Sequence, residues 1–202
     1  EARHVEVMAR FLSGKMGALH PISPTLKTLL DILLKAEGMQ KKILGMQVLF
    51  EGTAVGIMDM LRSESKNPLL SEMLRRVAQD ESRHAAFGVL QMRRVVRDAS
   101  TEEMNEMEDW AFSILEALNA NQNADMLRLF APKYGFEVEP VVQAFTSMPE
   151  FADLNSSVYM HTVVPNLRNL GLITERTAGG WLSKGMMTPA ATAGAPLPIA
   201  GC

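Results

Sequence analysis

The chain has 202 residues, a net charge of −3, and 47% hydrophobic against 21% charged residues, the balance of a folded globular protein. Its basic residues are scattered, which gives no reason to expect nucleic acid, and no apolar run approaches the roughly 18 uninterrupted residues of a membrane helix. The only cysteine is Cys202, so disulfides and cysteine-based zinc sites are excluded; with no charged-then-apolar leader, a reducing, cytoplasmic setting is expected.

In chain order, residues 1–12 read as helix, and residues 13–25, with two glycines and two prolines, as a loop. Residues 26–61 keep a helical pattern that Gly38 interrupts. Asn67 followed by Pro68 is a helix start signal, and that helix runs to about Arg97. Ser100 or Thr101 caps the next helix, which reaches about Ala120. Shorter helical stretches over 123–131, 138–147 and 151–170 are separated by Pro132, Gly135 and Pro149. No segment alternates as a half-buried strand does, so the fold class is all-α. The expected organisation is a site-bearing domain over 1–98, a helical C-terminal extension over 99–175, and a flexible tail over 176–202, rich in Pro, Ala and Gly. The 15 methionines are read first as fillers of an irregular core.

Chemistry enters where apolar helix faces are broken by polar residues. Positions spaced alternately four and three apart share one face. In the helix after Asn67 this series reads Leu70, Leu74, Val77, Glu81, His84, Gly88, Gln91, Val95, while the opposite face carries Glu72, Arg75, Arg76, Gln79, Arg83, Arg93, Arg94 and Arg97. The preceding helix gives Leu44, Val48, Glu51, Val55, Met58, and the first gives Glu1, His4, Met8, Phe11. Three helices therefore aim a carboxylate at the core, and two add a histidine one turn along. An unpaired buried carboxylate costs several kcal/mol, and three aimed at one core repel each other unless protonated or neutralised. Bound cations resolve the conflict. Glu and His at i and i+3 are neighbours on a helix face, so each Glu-x-x-His pair can hold one ion. Carboxylate-rich donors with one histidine per ion suit iron or manganese. His20 is expected in a loop, and His161, on the stripe Leu154, Val158, His161, as a satisfied core histidine.

This pattern resembles the ferritin-like di-iron carboxylate superfamily. On the match, Glu1 and His4 stand on the second bundle helix, Glu51 on the third, and Glu81 and His84 on the fourth. The string Asp80-Glu81-Ser82-Arg83-His84 looks like the DExRH string of the oxygen-activating members, where the aspartate orients a metal-bound histidine of another helix; Asp80 inherits that role. The resemblance covers residues 1–97 and implies a ferritin-like four-helix bundle whose first helix, with its carboxylate, would precede Glu1. The chain then reads as an N-terminally truncated piece of a longer protein. A downstream fourth acid is the alternative, with Glu108 and Glu116 as candidates, although Glu102, Glu103, Glu106 and Asp109 around them suggest a solvated acidic face.

Among family members, iron-storage proteins end soon after the fourth helix, whereas this chain continues far past His84, which favours a catalytic member. Met8 stands where ribonucleotide reductase small subunits carry a radical-forming tyrosine, so a tyrosyl radical is not expected. The resemblance implies an O2-dependent di-iron oxidoreductase, an oxygenase or oxidase acting on a small organic or acyl substrate. Its cofactor is two iron ions, with manganese as an alternative at either position; its partners are O2, substrate, an electron-donor protein and, for some members, a second copy. A non-catalytic iron-binding or storage protein and a vestigial helical bundle are the competing readings. The small residues around Glu51 suggest a substrate pocket with Met8, Gly52, Val55 and Met58 on its wall, or equally a close helix crossing.

Overall fold

The computed structural model of the protein describes residues 1–192, without the side chains of residues 122, 123 and 192. These residues form helices joined by short turns, with no strand among them. Helix α1 (Ala2–Phe11) continues into a π turn, Leu12–Met16. There follow α2 (Pro24–Lys35), α3 (Met39–Glu64), α4 (Pro68–Asp98), α5 (Thr101–Tyr134), α6 (Val138–Thr146), α7 (Pro149–His161), α8 (Val163–Asn169) and α9 (Glu175–Ser183). A single 3-10 turn, Pro189–Thr192, closes the described chain.

The start signals act as the sequence leads one to expect. Asn67 Oδ1 accepts from the backbone N–H groups of Leu69 and Leu70, with Pro68 at the first helical position. Ser100 and Glu103 close a reciprocal capping box at the head of α5. Gly38, at φ 81°, turns the chain between α2 and α3. In place of a helix ending near Ala120 and a second over 123–131, α5 is continuous to Tyr134, with Pro132 in its last turn and Gly135 as its left-handed cap. Pro132 costs little there because the following turn ends the helix anyway.

Helices α3 and α4 form the centre of the fold. The α4 stripe turns inward as its spacing requires: Leu74, Val77, Glu81 and Gly88 are buried, and the arginines of the opposite face are exposed. Helix α3 has the length and mean hydropathy (1.3 over its most apolar window) of a membrane-crossing helix, but Leu44, Val48, Leu49 and Val55 are buried against other helices. Its middle, Leu44–Phe50, winds as a π segment, a wide and uncommon turn often found beside functional sites, and Glu51 follows it directly.

One apolar cluster runs through residues on both sides of position 98, from Leu29 and Leu33 through Val48 and Met92 to Leu115, Leu167 and Trp181. The stretch expected to be a flexible tail is folded as far as it is described. Helix α9 reaches Ser183, Trp181 and Met186 are fully buried, and Met187 and Ala191 nearly so. Composition misleads here because a few apolar anchors suffice to dock a Gly- and Ala-rich segment on an existing core. Residues 193–202 of that expected tail lie outside the described residues.

Candidate metal centre

Glu1, His4, Glu51, Glu81 and His84, drawn from α1 and its cap, α3 and α4, converge on one place. One donor atom from each of Glu1, Glu51, Glu81 and His84 lies within 4.8 Å of the others. The two histidines share the same two carboxylates. His4 Nδ1 is 3.3 Å from Glu1 Oε2 and 3.0 Å from Glu81 Oε1; His84 Nδ1 is 3.2 Å from Glu1 Oε1 and 3.2 Å from Glu81 Oε2. Glu1 and Glu81 thus each present one oxygen to either histidine. Glu51 stands on the His84 side only, with Oε2 3.6 Å from His84 Nδ1. Helical spacing alone pairs Glu81 with His84 and Glu1 with His4; the contacts instead put both of these glutamates between the histidines, with Glu51 beside His84.

Glu81 is the most enclosed member, its side chain 8% exposed, followed by His4 and Glu51, whereas Glu1 and His84 face solvent. An open groove of about 510 Å3 between α1 and α4, lined by Arg3, His4, Val7, Met73 and Asp80, leads to the His4 side. The sequence stripes could not show it, because it exists only between two helices.

Asp80 lies behind His4, its Oδ2 3.3 Å from Nε2, and is itself paired with Arg83. Burial works against a charged His4, but the Asp80 hydrogen bond and the charges of Glu81 and Glu1 outweigh it and raise the pKa above 6.5. The His4 hydrogen bond, against some desolvation and with help from Arg83, holds the Asp80 carboxyl below its ordinary value. A proton on Nε2 donated to Asp80 leaves Nδ1, the atom facing Glu1 and Glu81, free to bind a cation.

The donor set passes a direct test of fit for cations. Glu51 Oε2 is buried and has no hydrogen-bond partner. Desolvation pushes the Glu51 pKa up to about 7, only partly opposed by His84 and reinforced by Glu81 and Glu1. A buried oxygen without a donor, beside two further carboxylates and two imidazoles, is what a bound cation would satisfy.

Other sequence-derived assignments fall elsewhere. The pocket expected around Met8, Gly52, Val55 and Met58 is a helix crossing: a Cβ on Gly52 would lie 3.1 Å from Val163 Cγ2, and one on Gly56 2.1 Å from Val158 O. Gly52 and Val55 are buried, and Met8 and Met58 are half-buried. Glu108 is neither solvated nor near the centre; it is 1% exposed and accepts from Thr174 N (2.6 Å), Thr177 Oγ1 (2.5 Å) and Arg176 Nη2 (2.7 Å). Glu116 pairs with Lys184. His161 is a half-exposed end-of-helix residue, 2.9 Å from Asp59, rather than a core residue, and His20 lies outside any helix, as expected, and is exposed. No family model matches the chain, and neither curated proteins nor solved structures give a match.

Proposed function

We propose that the chain is part of a ferritin-like, O2-dependent di-iron oxidoreductase, with Glu1, His4, Glu51, Glu81 and His84 as its metal ligands. One observation carries the reading: two histidines 80 positions apart face opposite oxygens of the same two glutamates, while the buried Glu51 oxygen beside them has no hydrogen-bond partner. Two iron ions, when bound, would supply the electrons that reduce O2 as an organic substrate is oxidised. Glu1, His4, Glu51, Glu81 and His84 would hold the ions, with Glu1 and Glu81 between His4 on one side and His84 with Glu51 on the other. Asp80 fixes the tautomer and orientation of His4 through Nε2. Glu51 holds a proton up to about pH 7 when no cation is present and gives it up on loading. The side of the cluster at Glu1 and His84 is open to solvent.

The test is metal analysis after anaerobic loading with ferrous iron, followed by O2 uptake. Two irons per chain and oxygen uptake limited by iron or substrate are expected. Many irons per chain would assign storage instead, and no bound iron at neutral pH would remove the reading. Glu81→Ala, which takes both oxygens from between the histidines, should abolish loading of both ions, and retention of two would contradict the ligand assignment.

A further inference from the structure

A second feature lies away from the carboxylate cluster, on another face of α3. Phe50, Thr53, Ala54, Ile57 and Met60 recur at helical spacing along it, and the neighbouring helices leave gaps over this stripe. Between it and α5 lie two cavities. One, of about 310 Å3, extends from the head of α2 (Thr25, Leu26) to Leu118. The other, of about 230 Å3, extends from Met60 and Asn119 to Val158 and Tyr159 under α6 and α7. Ile57 lines both, so they meet across one side chain.

The walls specify the occupant. Among the described residues, no Lys, Arg, His, Asp or Glu lines either cavity. The Thr53 hydroxyl donates to Leu49 O, so the middle of the slot offers no free donor. Ser23 and Thr25 line the α2 end, where Ser23 Oγ accepts from Leu26 N and Thr25 N donates to Asp125, and further polar groups line the α7 end. Asn155 donates through Nδ2 to Gly185 O, leaving its Oδ1 to accept, and the buried Tyr159 hydroxyl reaches Asn119 Oδ1 only at 3.5 Å. Met126, Phe145 and Leu154, each more than two-fifths exposed, ring this end as an apolar entrance. From Phe50 to Met60 the slot is about 15 Å long at a 1.5 Å rise per residue. With C–C bonds of about 1.5 Å, that accommodates an extended chain of about ten to twelve carbons. Two adjacent, largely apolar spaces of this size with a few polar groups on their walls have the make-up of a small-molecule site.

We propose that these two cavities form one binding site for an uncharged medium-chain aliphatic molecule, with its tail along α3 and its single hydrogen-bonding head, an alcohol or ester, at Asn119, Asn155 and Tyr159. The charge-free wall disfavours a carboxylate head, whose desolvation nothing there would offset. The inference requires no metal, so it stands or falls separately from the proposed function.

The experiment is calorimetric titration of the metal-free full chain with 1-decanol, 1-butanol and decanoate. One decanol per chain is expected, bound at least tenfold more tightly than either butanol or decanoate. Ile57→Trp, which fills the junction, and Ala54→Phe, which fills the larger cavity, should each weaken decanol at least tenfold while far-UV circular dichroism stays unchanged. If one variant fails to fold, the other decides. Absence of decanol binding, equal binding of decanoate, or several decanols per chain with no effect of a folded variant would overturn the proposal. So would binding that appears only after residues 193–202 are deleted, which would assign the slot to that apolar segment.

Discussion

Gly88 of α4 sits so close to Gln47 of α3 that a Cβ on the glycine would lie 2.5 Å from the Gln47 Cβ. The contact is one turn from both His84 and Glu51, so the helix separation set here fixes how near Glu81 and His84 come to Glu51. The clashing atom is a Cβ rather than the tip of a flexible chain, so accommodation requires a helix to move. Alanine would gain up to about 1 kcal/mol of helix propensity at an exposed glycine, but overpacking a crossing costs about 1–3 kcal/mol. Gly88→Ala should therefore lower the denaturation midpoint and weaken metal binding together. Gly179→Ala in α9, where a Cβ meets nothing within 4 Å, should leave metal binding unchanged and raise stability slightly. Equal midpoints for Gly88→Ala and the parent would refute the role given to this crossing.

Asp80 should act on metal affinity through His4 alone. Asp80→Asn keeps the shape but loses the charge that holds the Nε2 proton, and changes of this kind behind a ligating histidine cost about 10- to 100-fold in metal affinity. Titration with ferrous or manganous ion should show that loss with the circular dichroism spectrum unchanged. An unaltered affinity would mean that Asp80 is only the partner of Arg83.

Glu108 ties α5 to α9, a link no spacing rule reveals. Its carboxylate accepts from Thr174 N, Arg176 and Thr177, across nearly 70 positions of sequence. Glu108→Ala would leave these donors unmatched and should lower stability by about 3 kcal/mol without changing the iron content of the folded fraction. Burial raises the Glu108 pKa, but the hydrogen bonds from Thr177, Thr174 and Arg176 outweigh it and hold it below 4.5. Its contribution is thus complete above pH 4.5 and is lost as pH falls through the depressed value. Denaturant midpoints of parent and variant should accordingly converge as the solution is acidified from neutrality.

These residues show what was legible in the chain and why. Glu51, Glu81 and His84 stood out because each breaks an apolar stripe whose direction the helical repeat already determines. His4 and Asp80 gained meaning only in relation to them. Glu108 was hidden among Glu102, Glu103, Glu106 and Asp109, where composition suggests a solvated face and nothing local announces a partner 66 positions away. Trp181 was hidden by the Gly- and Ala-rich stretch that surrounds it. Spacing gives the direction of a side chain on its own helix. It is silent on which helices meet, and so the sharing of Glu1 and Glu81 between two histidines, and the closing of the expected pocket at Gly52 and Gly56, became visible only in the fold.

In the proposed metal centre, Glu51 makes both loading and stability depend on pH, in opposite senses. Its pKa near 7 in the folded, metal-free protein stands above the ordinary 4.5, so the folded state holds a proton more tightly than the unfolded chain. Its contribution to stability is therefore greatest below pH 4.5, declines as pH rises through 7, and is constant above. Metal binding must displace that proton, so apparent affinity should climb with pH and level off above about 7. Glu51→Gln removes the linkage. The metal-free variant should be more stable than the parent at pH 8, with the difference shrinking towards pH 5, while its affinity for the ion on the His84 side falls. Urea denaturation of the two metal-free proteins at pH 5 and pH 8 measures the first effect, and a parent whose stability matches the variant at both would show that Glu51 Oε2 finds a partner in solution.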